Sequence, residues 1–63
     1  MKVKHVLKQI EPHGWKFVST KGDHHKYKKA GNPKSVVLPG GPNTELSPGV
    51  LAQVRRITEI DIR

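Results

Sequence analysis

The apolar residues at the start of the chain recur at intervals of three and four positions. This spacing is typical of one face of an α-helix, and it predicts a helix over residues 2–10. The apolar positions of this stripe are Val3, Val6, Leu7 and Ile10. Pro12 and Gly14 follow directly and end the predicted helix.

From Trp15 to Leu38 the pattern changes to an alternation with period two, which indicates β-strands. Turn signals at residues 21–23 and 30–33 divide this region into three predicted strands, 15–20, 24–29 and 34–38, and Pro39 ends the third. Trp15 and Phe17 share one face of the first strand, while Lys16 and Val18 share the other. We expect Trp15, Phe17 and Tyr27 to pack in the core rather than to stack on bases.

A second helix is predicted after Ser47, because serine is a favoured N-cap and Pro48 suits the first helical position. Leu46 and Leu51 flank this start at the spacing of a hydrophobic staple. The order of elements is therefore helix, three strands, helix. It predicts an α+β fold in which two helices cover one face of a three-stranded antiparallel sheet, with residues 1–63 forming a single domain.

The charge of the chain is positive and unevenly distributed. The formal net charge is +7, and the first 38 residues carry nine lysines against two carboxylates, whereas the arginines and carboxylates of the remainder cancel. Such an excess indicates nucleic acid as the leading class of partner, with an acidic protein as the competitor. The absence of cysteine excludes disulfides and thiolate zinc sites, and no apolar run reaches the length of a signal peptide or membrane span. We therefore expect a cytoplasmic protein without metal or cofactor.

Two adjacent histidines lie among the lysines of the predicted hairpin. Because alternate residues of a strand point to opposite faces, His25 shares the face of Tyr27, while His24 shares the open face with Lys26 and Lys28. Side chains that point apart do not readily chelate one metal ion. His24 could contact a phosphate, act as a general acid or base, or stack on a base. In RNA, proton transfer from a 2′-hydroxyl group requires no metal, whereas DNA lacks that hydroxyl.

Three sequence motifs resemble those of the HicA toxin family. They are Gly14-Trp15, the hairpin segment from Lys21 to Tyr27, and the segment Glu45-Leu46-Ser47-Pro48-Gly49-Val50-Leu51 that opens the last helix. The resemblance covers roughly residues 3–57 and implies a fold like the double-stranded-RNA-binding domain. It also implies ribosome-independent cleavage of mRNA and inhibition by a HicB-type antitoxin. The family's catalytic histidine falls on His24, although Asp23 stands where the family usually has serine.

These observations predict a metal-independent endoribonuclease toxin of a type II toxin–antitoxin pair, acting on single-stranded RNA. His24 is the predicted acid/base, and His25 is the second choice. We expect Lys21, Lys26 and Lys28 to hold the RNA backbone, with Lys16 and Lys34 more peripheral. Two alternatives remain at this point: a non-catalytic RNA-binding module on the same fold, and a basic protein-interaction domain.

Overall fold

The computed structural model describes the whole chain, Met1–Arg63, and has the predicted order of elements. These are α1 (Val3–Ile10), a 3₁₀ turn (Glu11–His13), β1 (Trp15–Lys21), β2 (His24–Lys29), β3 (Ser35–Pro39) and α2 (Pro48–Thr58). The three strands form one antiparallel sheet in the order β1-β2-β3, so β2 is paired on both sides. The predicted α+β class and its helix–sheet arrangement are confirmed. Neither helix has the length and apolar character needed to cross a membrane.

The first helix begins without a side-chain cap, because Lys2 at its N-cap makes no such hydrogen bond. Backbone groups of the loop after β3 supply the missing acceptors. The N–H of Val3 donates to the carbonyl oxygen of Thr44 at 2.9 Å, and the N–H of Lys4 donates to that of Pro42 at 3.0 Å. Because the first N–H groups of a helix have no partner within it, these bonds both cap α1 and hold the loop against it.

The core lies between the helices and the sheet, and all 11 buried residues are apolar. The sheet contributes Trp15, Tyr27, Val36 and Leu38, and the other members come from the helices, from Leu46 and from the C-terminal segment. The predicted start of α2 is confirmed, because the Ser47 hydroxyl accepts a hydrogen bond from the N–H of Val50 at 3.3 Å. The chain thus joins its two helices to the sheet through one continuous apolar cluster.

The last residues fold back onto α1, which the sequence pattern did not predict. Glu59 adopts a left-handed conformation with φ of 58° and ends α2. The chain then buries Ile62, which is 1% exposed. The Gln9 side chain donates to the carbonyl oxygen of Arg63 at 2.7 Å and accepts from its N–H at 2.8 Å. This two-point contact fixes the end of the chain beside the first helix.

The prediction that Phe17 belongs to the core is wrong, since 56% of its surface is exposed. Phe17 does lie on the helix side of the sheet, paired with Tyr27. However, β1 is an edge strand of the sheet, and Trp15 is its one buried residue. The helix layer covers Tyr27 on the central strand and Leu38 on β3, and it leaves Phe17 on the edge strand uncovered.

The burial of β3 gives a direct test of which face carries the core. Leu38 is fully buried, while the adjacent Val37 is 48% exposed. We expect Leu38→Ala to lower the free energy of unfolding by about 2–5 kcal/mol, a large share of the roughly 3–9 kcal/mol available to a domain of this size. Val37→Ala should change it by less than about 0.5 kcal/mol. Urea denaturation followed by circular dichroism would measure both, and equal effects would contradict the described packing.

Candidate functional site

The hairpin between β1 and β2 fixes the position of His24 at the start of the central strand. Gly22, with φ of 60°, and Asp23 form a two-residue turn, and Lys21 pairs with His24 across it. A positive φ at the first turn position favours glycine. On the other side, His24 pairs with Pro39 of β3. The imidazole therefore projects from a strand that is held on both sides.

The register places four of the predicted RNA-binding lysines on the same face of the sheet as His24. Three cross-strand rows form this open face: Lys21–His24–Pro39, Ser19–Lys26–Val37 and Lys16–Lys28–Ser35. Side chains directly opposite one another in a sheet have Cβ atoms about 5 Å apart. The predicted placement of His24, Lys26 and Lys28 on one face agrees with this register. Lys21 joins them on that face, and Lys16 lies two rows away from the histidine.

A shallow cleft runs along the open face and includes residues of all three rows. Its volume is about 340 Å³. The residues that line it are Ser19, Lys21, His24, Lys26, Ser35 and Val37. His24, Lys21 and Lys26 are all exposed, so a polymer can reach the imidazole without any rearrangement of the chain.

None of the lysines takes part in an ion pair. The two ion pairs of the protein join the N-terminal ammonium group to Glu45 and Arg63 to Asp61, both away from the open face. Moreover, Lys16 and Lys28 lie directly opposite each other, and like charges in that position destabilise a sheet. The open face therefore carries a positive charge that the folded chain does not neutralise.

His25 lies on the other face of the sheet, as its position in the alternation predicts. It is half-buried, opposite Thr20 and Leu38, and its ring contacts Phe17 edge-to-face with centroids 6.2 Å apart. The sheet backbone thus separates the two imidazoles.

Near His25, burial together with the charge of Glu11 raises the pKa of Tyr27 above its ordinary value, so the phenol remains neutral.

Lys34 is the one predicted RNA-binding lysine that lies outside the three cross-strand rows of the open face. It precedes β3, where its backbone N–H donates to the Asn32 side chain at 2.9 Å. Pro39, rather than Leu38, is the last residue of β3, and this one-residue shift leaves Lys34 outside the sheet. No group of three or more histidine, cysteine, aspartate or glutamate residues is arranged to hold a metal ion.

The sequence and the fold both resemble those of known proteins. The family model described as "HicA toxin of bacterial toxin-antitoxin" matches residues 3–60. The chain belongs to the HicA toxin family. A solved HicA3 and HicB3 toxin-antitoxin complex contains a chain similar to this one, with 28% sequence identity, full coverage of both chains and a TM-score of 0.74. No curated protein sequence matches the chain. The resemblance seen in the sequence is thereby confirmed.

The sequence predicts an irregular loop at residues 40–43, but it does not predict that this loop packs on the helix side of the sheet beside the hairpin. Gly40 has φ of 73°, and its N–H donates to the Asp23 carbonyl oxygen at 2.6 Å, which joins the loop to the hairpin turn. A Cβ atom at Gly40 would overlap the side chain of Thr44, whereas one at Gly41 would meet open space. Paired glycines before proline indicate a loop with special backbone conformations, but they do not indicate what the loop contacts.

Replacing each glycine in turn tests whether this loop is conformationally constrained. Gly40→Ala should destabilise the protein by at least about 1 kcal/mol, because alanine is disfavoured at positive φ and would contact Thr44. For a domain of this size that corresponds to a fall in melting temperature of about 4–8 °C. Gly41→Ala, the matched control, should leave the melting temperature nearly unchanged. Equal melting temperatures for the two variants would contradict the described loop.

Proposed function

We propose that this HicA-family protein is an endoribonuclease that cleaves mRNA at the open face of its sheet. One observation carries the proposal: an exposed histidine, on a central strand that is paired on both edges, lies among lysines that no carboxylate of the chain neutralises. Phosphate groups of a polynucleotide are the natural counterions of such a face. Membership of a toxin family agrees with an activity that harms the cell.

In the proposed reaction, neutral His24 takes the proton of a ribose 2′-hydroxyl group. The freed 2′-oxygen attacks the adjacent phosphorus atom, and the bond from phosphorus to the 5′-oxygen of the next nucleotide breaks. The leaving oxygen takes a proton from the imidazolium or from water, so the products are a 2′,3′-cyclic phosphate and a 5′-hydroxyl group. General acid–base catalysis of this kind contributes about 10²- to 10⁴-fold.

The lysines have an electrostatic role in this scheme. Lys21 lies directly across the strand from His24, and Lys26 lies two residues further along β2, about 7 Å away. Both are placed to stabilise negative charge that develops on the phosphorane oxygens. His25 has no access to the same phosphate, because it projects from the opposite face, and we assign it no proton transfer in this step.

We further propose that a HicB-type antitoxin is the protein partner of this chain. The support is the similarity to a chain of the solved HicA3 and HicB3 complex. An antitoxin that neutralises the lysines of the open face would block RNA from His24 by occupying the same surface. Binding of antitoxin and binding of RNA would then exclude each other.

The assignment of His24 is tested by comparing His24→Ala with His25→Ala. Wild-type protein should cleave a long single-stranded RNA in the presence of EDTA and should leave DNA of the same sequence intact. His24→Ala should reduce the cleavage rate about 10²- to 10⁴-fold, while His25→Ala, which removes no proton-transfer group of this step, should reduce it far less. Gel electrophoresis of end-labelled RNA would measure the rates, and 3′-end analysis would detect the cyclic phosphate.

Two results would contradict this assignment. Equal cleavage by wild type and His24→Ala would show that the histidine is not the acid/base. Intact RNA in every lane, with binding retained, would identify a non-catalytic RNA-binding module instead.

Salt dependence tests the proposed role of the lysines. Each phosphate contact to a single strand adds about −0.7 to the slope of log affinity against log salt concentration. Lys26→Ala should therefore weaken binding of single-stranded RNA and make the slope shallower by about 0.7. Lys8→Ala removes the same charge from the exposed side of α1 and serves as the control, with an expected slope equal to that of the wild type.

Fluorescence anisotropy of a labelled oligonucleotide at several salt concentrations would give both slopes. A wild-type slope near zero would refute any RNA-binding function and would favour a domain that recognises only an acidic protein.

A further inference from the structure

A second cleft opens on the helix side of the sheet, behind the hairpin end that carries His24. Its volume is about 330 Å³. The sheet contributes the side chains of Phe17, Thr20, His25 and Tyr27, and the loop contributes Gly40 and Gly41. The N-terminal part of α1 closes the third side through Val3 and Leu7. Nothing in the proposed cleavage step uses this cleft.

The exposed ring of Phe17 is the main feature of this aromatic cleft. It contacts His25 and Tyr27 edge-to-face, with ring centroids 6.2 Å and 5.9 Å away, yet more than half of its surface is exposed. The two neighbouring rings hold the orientation of Phe17. A planar aromatic ligand can therefore stack on a ring that is already ordered.

Polar groups without partners surround this ring. The side chains of Thr20 and His25 make no hydrogen bond within the protein, and the backbone N–H of Gly41 donates to no acceptor. Gly40 and Gly41 have no side chains, so Pro42 supplies the one loop side chain in the lining of the cleft. A flat heteroaromatic ring with donors and acceptors at its edge matches this combination of one apolar face and a polar rim.

The aromatic cleft is continuous with the open face around the end of the hairpin. The pair Thr20–His25 is the next cross-strand pair after Lys21–His24, and it forms the near edge of the aromatic cleft. Phe17 and Tyr27 form the third pair after Lys21–His24, about 10 Å from His24 along the strand. A flexible single strand can pass over the Gly22-Asp23 turn and present a phosphate to one face and a base to the other. We propose that an unpaired nucleobase of the bound RNA stacks on Phe17 in the aromatic cleft and helps to position the phosphate at His24.

This inference rests on the proposed RNA-cleaving function and adds a base-binding subsite to it. RNA is favoured over a protein side chain because the cleft adjoins the uncompensated lysines and carries no carboxylate. A stacked base would also explain why an aromatic side chain remains exposed on the edge strand of the sheet.

The test compares two single-stranded RNA probes of twelve nucleotides, oligoadenylate and a ribose-phosphate oligomer of equal charge without bases. Binding is measured in the His24→Ala background to prevent cleavage. Phe17→Leu should weaken oligoadenylate binding about ten-fold, the value of one base–aromatic stack, and should leave binding of the abasic oligomer unchanged. Its salt slope should equal that of the parent, because no ionic contact is lost.

Val18→Ala is the matched control, since Val18 is an apolar residue of the same strand with 51% of its surface exposed. It should bind both probes as the parent does. Phe17→Trp provides a second readout that does not depend on Phe17→Leu remaining folded. Its indole fluorescence should be quenched by oligoadenylate and not by the abasic oligomer, while Trp15, which is 1% exposed, contributes a constant background.

Equal loss of affinity for both probes would overturn the base-binding inference, and so would fluorescence of the Phe17→Trp variant that oligoadenylate does not quench. A Phe17→Leu variant that loses only its antitoxin affinity would assign the cleft to the protein partner instead. Cleavage that does not depend on Phe17 would remove this subsite and leave the nuclease proposal intact. If the wild-type protein binds RNA in a base-dependent way but does not cleave it, the base-binding subsite is supported and the nuclease proposal is contradicted.

Discussion

The pairing of β2 on both of its edges is the constraint on which the candidate site depends. Adjacent residues of a strand point to opposite faces, and a shift of register by one residue would exchange those faces. His24 would then enter the helix side and His25 the open face. The hairpin turn at Gly22 and the pairing with Pro39 prevent this shift. The pairing of the sheet, and not the side chains alone, therefore determines which of the two adjacent histidines lies on the open face.

The same sheet brings lysines together on its open face, although their positive charges do not stabilise the fold. Lys16 and Lys28 repel each other across the strands, and no lysine has a carboxylate partner. A chain with only 11 buried residues has little stability to offset such repulsion. An anionic partner would relieve it. Under the proposed function, RNA and an antitoxin would both do so at the open face, and their competition would require no conformational switch.

Local signals made much of this structure predictable from the sequence. The Ser47 cap and the position of His24 follow from preferences that act over a few residues. The burial of Phe17 was wrongly predicted, because its exposure depends on how far the helices extend across the sheet. The burial of Ile62 depends on the hydrogen bonds between Gln9 and Arg63, which lie 54 positions apart. The catalytic role of His24 and the RNA contacts of the lysines remain proposals that packing alone does not decide.

The irregularity of β1 connects these separate observations. Lys16 and Lys21 are five positions apart, so strict alternation would place them on opposite faces of the sheet. The register shifts between Phe17 and Ser19, which leaves Val18 as the extra residue of a β-bulge. Beyond the bulge the alternation is reversed, and Lys21 joins Lys16 on the open face beside His24. The same reversal turns Thr20 toward His25 and the aromatic cleft. One extra residue thus supplies a cation to the candidate catalytic face and a polar group to the cleft behind it.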